Sequence, residues 1–229
     1  MNQSYEPRVG MDYAVSAQTR NRVLRNTYLL LALSMIPTVL GAYVGLRTGI
    51  AANLSGLMVV GLLAVAYALM FAIEKTKNSA TGVVLLLVFT GFMGFMLSRL
   101  IGWVLGLGNG TQLVMTAFAG TAAVFATMAT IATTTKRDFS GAGRWLLVGG
   151  IVLLVSGVLN ILVFQSPALS AALSTVAIAL FSFWLMYDIK RIVDGGETNY
   201  VSATLSLYLS LYNIFQNLLY LLGIFGGDE

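Results

Sequence analysis

The chain has 229 residues, 58% of them hydrophobic and only 10% charged, against roughly 25% charged in ordinary soluble domains. It contains neither cysteine nor histidine, which excludes disulfides, Cys/His metal sites, cysteine nucleophiles and every Ser-His arrangement, and no cofactor is called for. The net charge of +4 comes from basic residues in short loops between apolar spans, a pattern that membrane topology explains and nucleic-acid binding does not.

These numbers describe an all-α integral membrane protein with room for one helix bundle and no separate soluble domain. Met1 to Arg25 is polar, holds Pro7 and Gly10, and carries Arg8, Arg20, Arg22 and Arg25 against Glu6 and Asp12. It reads as a flexible N-terminal tail, with residues 26–229 forming the membrane domain. It does not read as a signal peptide, because the apolar run begins only after it and no small-residue cleavage site follows that run.

Spans of about 20 apolar residues, enough to cross a core of about 30 Å, fall at roughly 27–46, 51–73, 80–101, 111–134, 144–164, 168–189 and 201–225. A seven-transmembrane helix bundle is expected. Pro37 should kink the first helix, and Ser166-Pro167 marks a tight turn between the fifth and sixth. The end of the third span is blurred by Arg99 and by Gly102, Gly106, Gly108 and Gly110. Apart from a faint likeness between KTKNSATG and TTKRDFSGAG, no internal repeat is visible, so an inverted-repeat transporter is not supported.

Alternate loops differ in basic residues. One side has the tail, Lys75 and Lys77, then Lys136, Arg137 and Arg144, then Lys190 and Arg191; the other has only Arg47 and Arg99. The asymmetry predicts a cytoplasmic N-terminus and a periplasmic C-terminus ending Asp228-Glu229, with Trp145 and Trp184 near the inner interface and Trp103 near the outer one. Small residues recur as Gly91, Gly94, Ser98 and Gly102 on the third span and as Thr116, Gly120, Ala123, Thr127, Thr130 and Thr134 on the fourth. Both sets read as helix-packing faces.

The most informative stretch runs from Phe181 to Leu219. Its first helix carries Asp188 where a spanning segment should have no charge, and its second places Ser202, Ser206, Ser210, Asn213 and Asn217 within an arc of roughly 80°. That polar stripe should face the bundle, with Leu205, Leu207, Leu211, Ile214, Leu218 and Leu221 toward lipid or neighbouring helices. Tyr187-Asp188 and Gly226-Gly227-Asp228 resemble the two motifs of intramembrane aspartyl proteases. Topology rejects that reading, because the two aspartates would lie about a bilayer core apart, whereas working carboxylate pairs sit within a few ångströms.

The runs KRDFS (136–140), MYD (186–188), GGETNY (195–200) and SLYLSLYNIF (206–215) resemble the Bax inhibitor-1 family of membrane proteins, most of all its proteobacterial YccA branch. The resemblance extends from about Asn21 onward. In the family's bacterial calcium-leak members, a sixth-helix aspartate pairs with one on the seventh as a proton-sensitive latch. Asp188 matches the first position and Ser210 occupies the second, which argues against calcium leak because a serine cannot share a titrating proton. Asp188 and Ser210 lie about 9 and 15 Å along their helices from the connecting loop, so contact between them is permitted. The alternative for Asp188 is structural: a carboxylate capped by Ser210 or Asn213, or paired with Lys190 or Arg191.

The same resemblance implies a non-enzymatic role as substrate and inhibitory modulator of the ATP-dependent membrane protease FtsH, which works alongside HflK and HflC, in a bacterial inner membrane with lipid as the surrounding partner. Met1 to Arg25 would then engage the protease, its reach on the order of 80 Å when extended. The other reading of this segment is a merely solvated terminus. The alternative function that the family implies is a pH-sensitive cation leak, with Asp188, Ser210 and Asn213 as its latch.

Overall fold

The computed structural model describes residues 9–137, 139 and 141–227, with side chains from Ala17 onward. Met1–Arg8, and the Asp228-Glu229 pair expected at the far end, lie outside these residues. Among the described residues every regular element is a helix. The helices are α1 (Val9–Thr48), α2 (Gly56–Thr76), α3 (Ala80–Leu105), α4 (Gly110–Thr134), α5 (Ala142–Leu159), α6 (Pro167–Val193) and α7 (Tyr200–Gly226). A short 3-10 turn, Ala51–Asn53, precedes α2, and α5 ends in a π-helical turn, Asn160–Phe164. Seven helices are long and apolar enough to cross a membrane.

Helix α1 starts well before the apolar run that the sequence marks at residue 27, so residues 9–25, read as part of a tail, are helical here. The buried stripe of α1 begins with Val23 and continues through Thr27, Leu30, Leu31 and Ser34, the spacing of one helix face. Only that face has to be non-charged, which lets Arg20, Arg22 and Arg25 point outward on the same helix. The helix also continues through Pro37, and the neighbouring hydroxyls of Ser34 and Thr38 donate to the carbonyls of Leu31 and Ser34 at 2.6 and 2.8 Å.

Helix α7 is central, packing against α1, α2, α3, α4 and α6. Its leucines therefore meet neighbouring helices, and Leu205, Leu207 and Leu219 are buried together with Ser202 and Ser210. The tyrosines of the SLYLSLYNIF run tie α7 to α3: Tyr208 Oη lies 3.3 Å from the Thr90 carbonyl and Tyr212 Oη 3.3 Å from that of Met93. A main core of Ile73, Leu86, Phe89, Leu185, Ile189, Leu207 and Ile214 occupies the half nearer the α6–α7 turn. A smaller one of Val104, Leu113, Ala117 and Leu219 occupies the other half.

The most extensive contact joins α1 to α3, and glycine makes it possible. A Cβ on Gly41 would lie 1.9 Å from the Gly91 carbonyl oxygen, and one on Gly94 would lie 1.9 Å from that of Thr38. The small residues of the third span thus face α1. The small-residue face of the fourth span behaves differently. Thr116, Ala123, Thr127, Thr130 and Thr134 are exposed, and α4 packs inward through Leu113, Ala117, Thr121 and Ala132. The threonines need no interhelical partner, because Thr127, Thr130 and Thr134 donate to their own i−4 carbonyls at 2.8 Å.

Helix α5 is peripheral and packs on α6. Their junction is clasped by the buried Asn160, whose Oδ1 accepts from the Ser166 amide at 3.0 Å and whose Nδ2 donates to the Ser166 carbonyl and the Ser170 hydroxyl at 3.1 and 2.7 Å. Ser166 then caps α6 by accepting from the Leu169 amide, with Pro167 in the first turn.

Candidate functional site: a buried carboxylate at the α6–α7 turn

The inward face of α6 near its end is Leu185, Asp188, Ile189 and Ile192, all buried. Asp188 therefore occupies a core position by helical spacing. It is 5% exposed, and its Oδ2 has no hydrogen-bond partner among the described residues. It borders a cavity of about 10 Å³ whose other walls are Arg191, Ile192, Glu197, Ala203 and Ser206. That volume is on the order of what one water molecule requires, and water is the usual solution for an otherwise orphaned buried oxygen.

The two cations that could have paired with Asp188 are directed elsewhere. Lys190 Nζ meets Asp194 Oδ1 at 2.8 Å, and Arg191 Nη2 meets Glu197 Oε2 at 2.5 Å. From α7, the cavity receives Ala203 and Ser206. Ser210 lies one turn further along and is 2% exposed. The Asn213 side chain donates to the Leu209 carbonyl at 2.8 Å and that of Asn217 to the Asn213 carbonyl at 2.7 Å. Among the described residues no hydrogen bond joins Asp188 to Ser210 or Asn213.

Backbone geometry sets the turn. Gly195 ends α6 with φ of +83°, a left-handed conformation that glycine adopts without strain. The Gly196 and Glu197 amides then donate back to the Arg191 carbonyl at 2.8 and 3.2 Å. Glu197 Oε1 accepts from the Asn199 amide at 2.9 Å. Asn199 caps α7, its Oδ1 accepting from the Val201 and Ser202 amides, while its Nδ2 donates to the Lys77 carbonyl at 3.2 Å and to Asn78 Oδ1 at 2.8 Å. The GGETNY run thus fastens the α6–α7 turn to the α2–α3 turn. An open cleft of about 620 Å³ runs beside that seam, bordered by Lys77, Asn78, Val83, Asn199 and Tyr200 among others, and does not include Asp188.

One acid of this cluster escapes a reading based on apolar spans. The second span, ended at Ile73, contains no carboxylate, but α2 runs on to Thr76. Glu74 Oε2 consequently accepts from the Ser202 hydroxyl at 2.8 Å, and its other oxygen pairs with Lys77. The Glu74…Lys77 spacing of three residues, which favours a continuing helix, is the signal in the sequence. The whole arrangement can hold a proton or a water at a buried carboxylate next to an ion-paired turn. Gly226, two positions before Asp228 in the sequence, closes α7 at the end opposite the Asp188 turn, and Asp228 itself lies outside the described residues.

Residues 20–227 match the family model described as "Inhibitor of apoptosis-promoting Bax1". The chain is 39% identical to the Escherichia coli K12 protein named "Modulator of FtsH protease YccA", over 93% of this chain and 94% of that one. It is equally similar to the "Inner membrane protein YccA" of a second E. coli strain. It is 38% identical to an uncharacterized Pseudomonas aeruginosa protein over 98% of this chain and 99% of its relative. With seven helices able to cross a membrane, it is a multi-pass protein of the bacterial inner membrane. Similarity across nearly the whole bundle, including the α6–α7 turn, establishes that the chain belongs to the Bax inhibitor-1 family.

Proposed function

We propose that this protein is a membrane-embedded substrate and inhibitory modulator of the ATP-dependent protease FtsH, with HflK and HflC as further partners, and that it acts without catalysis of its own. The observation that carries the reading is the near full-length similarity to a protein named as a modulator of that protease. The physical logic lies in where a pulling ATPase could begin. Turns such as Lys77–Ser79 and Asp194–Asn199 are short and held at both ends by spanning helices, which leaves the N-terminal segment through Arg25 as the handle. Residues 9–25, helical here, would cover about 25 Å as helix and about 55 Å when drawn out. The bundle behind them resists extraction, so a bound copy occupies the protease for a long time.

The test is a pulse-chase of full-length protein and of a form lacking Met1 to Gln18, with and without active FtsH, alongside the half-life of a second membrane substrate. Arg20, Arg22 and Arg25 are kept, so insertion is preserved. The shortened form should be degraded more slowly and should lengthen the second substrate's half-life. Equal, protease-independent lifetimes and an unchanged second substrate would remove the reading.

A second reading, a pH-sensitive cation leak with Asp188, Ser210 and Asn213 as latch, is favoured by one observation: the buried Asp188 oxygen that borders a cavity without a protein partner. Ser210, in place of a second acid, weighs against it.

A further inference from the structure

Asp188 and the Arg191–Glu197 ion pair border one small cavity, yet they differ in how they meet solvent. Asp188 is 5% exposed, whereas the side chain of Arg191 is 42% exposed and that of Glu197 15%. The pair therefore lies on the outer side, the buried Asp188, Ile192 and Ala203 on the inner side, and the part-exposed Ser206 between them. Glu197 reaches its place from a glycine-hinged turn: Gly195 takes a left-handed φ, and nothing lies within 4 Å of where its Cβ would be. The same turn is fastened at its far end through Asn199 to Lys77 and Asn78. Releasing Arg191 from Glu197 would leave the segment 195–198 held by its backbone bonds to α6 and by the Asn199 amide on Glu197 Oε1, with no side-chain tie from the turn to α6.

We propose that the Gly195–Asn199 turn is a lid, latched by Arg191 and Glu197, over a site for one water molecule at the Asp188 carboxylate. The occupant follows from size and chemistry. The cavity is of single-water dimensions, and Asp188 Oδ2 lacks a partner. The Ser206 hydroxyl and the Glu197 carboxylate on the same walls supply the further hydrogen bonds that a buried water requires. The lid operates whether or not an ion crosses the protein, so it stands apart from both functional readings above. Their failure would leave it intact.

Because the chain has no cysteine, a single introduced thiol reports access. Ala203→Cys places the probe on the inner wall, at a residue 3% exposed. The measurement is its modification rate by a charged thiol reagent, on the full chain purified in mild detergent. Adding Glu197→Gln should raise the rate about tenfold or more, the scale expected for losing a charge-assisted bond. Exchanging the pair, Arg191→Glu with Glu197→Arg, should restore slow modification. Ser34→Cys, on α1 and 0% exposed, controls for general loosening, and Ile192→Cys, at a cavity residue 1% exposed, replaces Ala203→Cys if that variant does not fold. In the unsubstituted chain, radiolytic hydroxyl labelling should modify Ile192, although it is 1% exposed, and spare Ile73, which is 0% exposed, because only the former borders the water. Fast modification without Glu197→Gln, no change on adding it, or an unlabelled Ile192 would each overturn the proposal.

Discussion

The hydroxyls of Tyr208 on α7 and Thr38 on α1 lie 3.0 Å apart, and Tyr208 Oη also reaches the Thr90 carbonyl of α3 at 3.3 Å. Because the Thr38 proton goes to the Ser34 carbonyl, the one Tyr208 proton is shared between Thr38 Oγ1 and the Thr90 carbonyl, tying α7 to α1 and α3, with the buried ring packed edge-on against Phe89 at 6.1 Å. Apolar surface alone does not drive helices together in lipid, so such polar ties set the register of α7 within the bundle. Tyr208→Phe keeps the ring and removes the tie. It should cost about 0.5–1.5 kcal/mol, read as a lower unfolding midpoint in detergent, and the loss should shrink when Thr38 is already Val. Fully additive losses would show that the two hydroxyls do not interact.

The α1–α3 crossing makes a sharper prediction. Gly94→Ala puts a methyl group 1.9 Å from the Thr38 carbonyl oxygen, and backbone cannot yield there without separating the helices, whereas nothing lies within 4 Å of a Cβ on Gly61. Overpacking of a tight core costs about 1–3 kcal/mol and sometimes more. Gly94→Ala should therefore fall at or above the top of that range, and Gly61→Ala should be neutral or slightly stabilising through helix propensity. Similar melting temperatures for the two variants would refute the crossing.

How much of this was legible in the sequence depends on which physical signal carried it. Spanning segments announce themselves by hydropathy, and all seven helices stand where the apolar runs are. Helix ends do not: Val23 and Glu74 lie beyond the apolar runs, yet one is buried and the other bonds Ser202, because a helix continues as long as one face is accommodated. The burial of Asp188 was readable from its spacing to Leu185 and Ile192. That it forms no salt bridge with Lys190 or Arg191 was not, since their pairing with Asp194 and Glu197 depends on a glycine turn whose far end is fastened by Asn199. The fourth span misled because threonine looks the same in sequence whether it bonds a neighbouring helix or its own carbonyl.

Orientation is a separate prediction. Trp145 lies in the first turn of α5 and is 79% exposed, while Trp103 lies near the end of α3 and is 44% exposed, placing indoles near opposite ends of the bundle as interfacial anchors. With the basic loops inside, alkaline phosphatase fused after Glu229 should be active and after Gly195 inactive. The reverse pattern would overturn both the orientation and the use of the N-terminal segment as a handle.

The last prediction separates the cation-leak reading from the modulator reading at a single position. Ser210 is 2% exposed on the helix that faces Asp188 across the α6–α7 contact. Two carboxylates brought close share one proton rather than both ionise. Ser210→Asp should therefore create a proton-sensitive pair where the natural chain has one acid. In reconstituted vesicles the unmodified protein should pass calcium weakly or not at all, and Ser210→Asp should produce a pH-dependent flux. Ser210→Asn, of nearly the same shape but unable to titrate, should not. Robust leak from the unmodified protein that persists in Asp188→Asn would show that Asp188 is not part of the conduction path. A silent Ser210→Asp, folded by its melting curve, would remove the latch from these residues and leave Asp188 with the water-filled role at the turn.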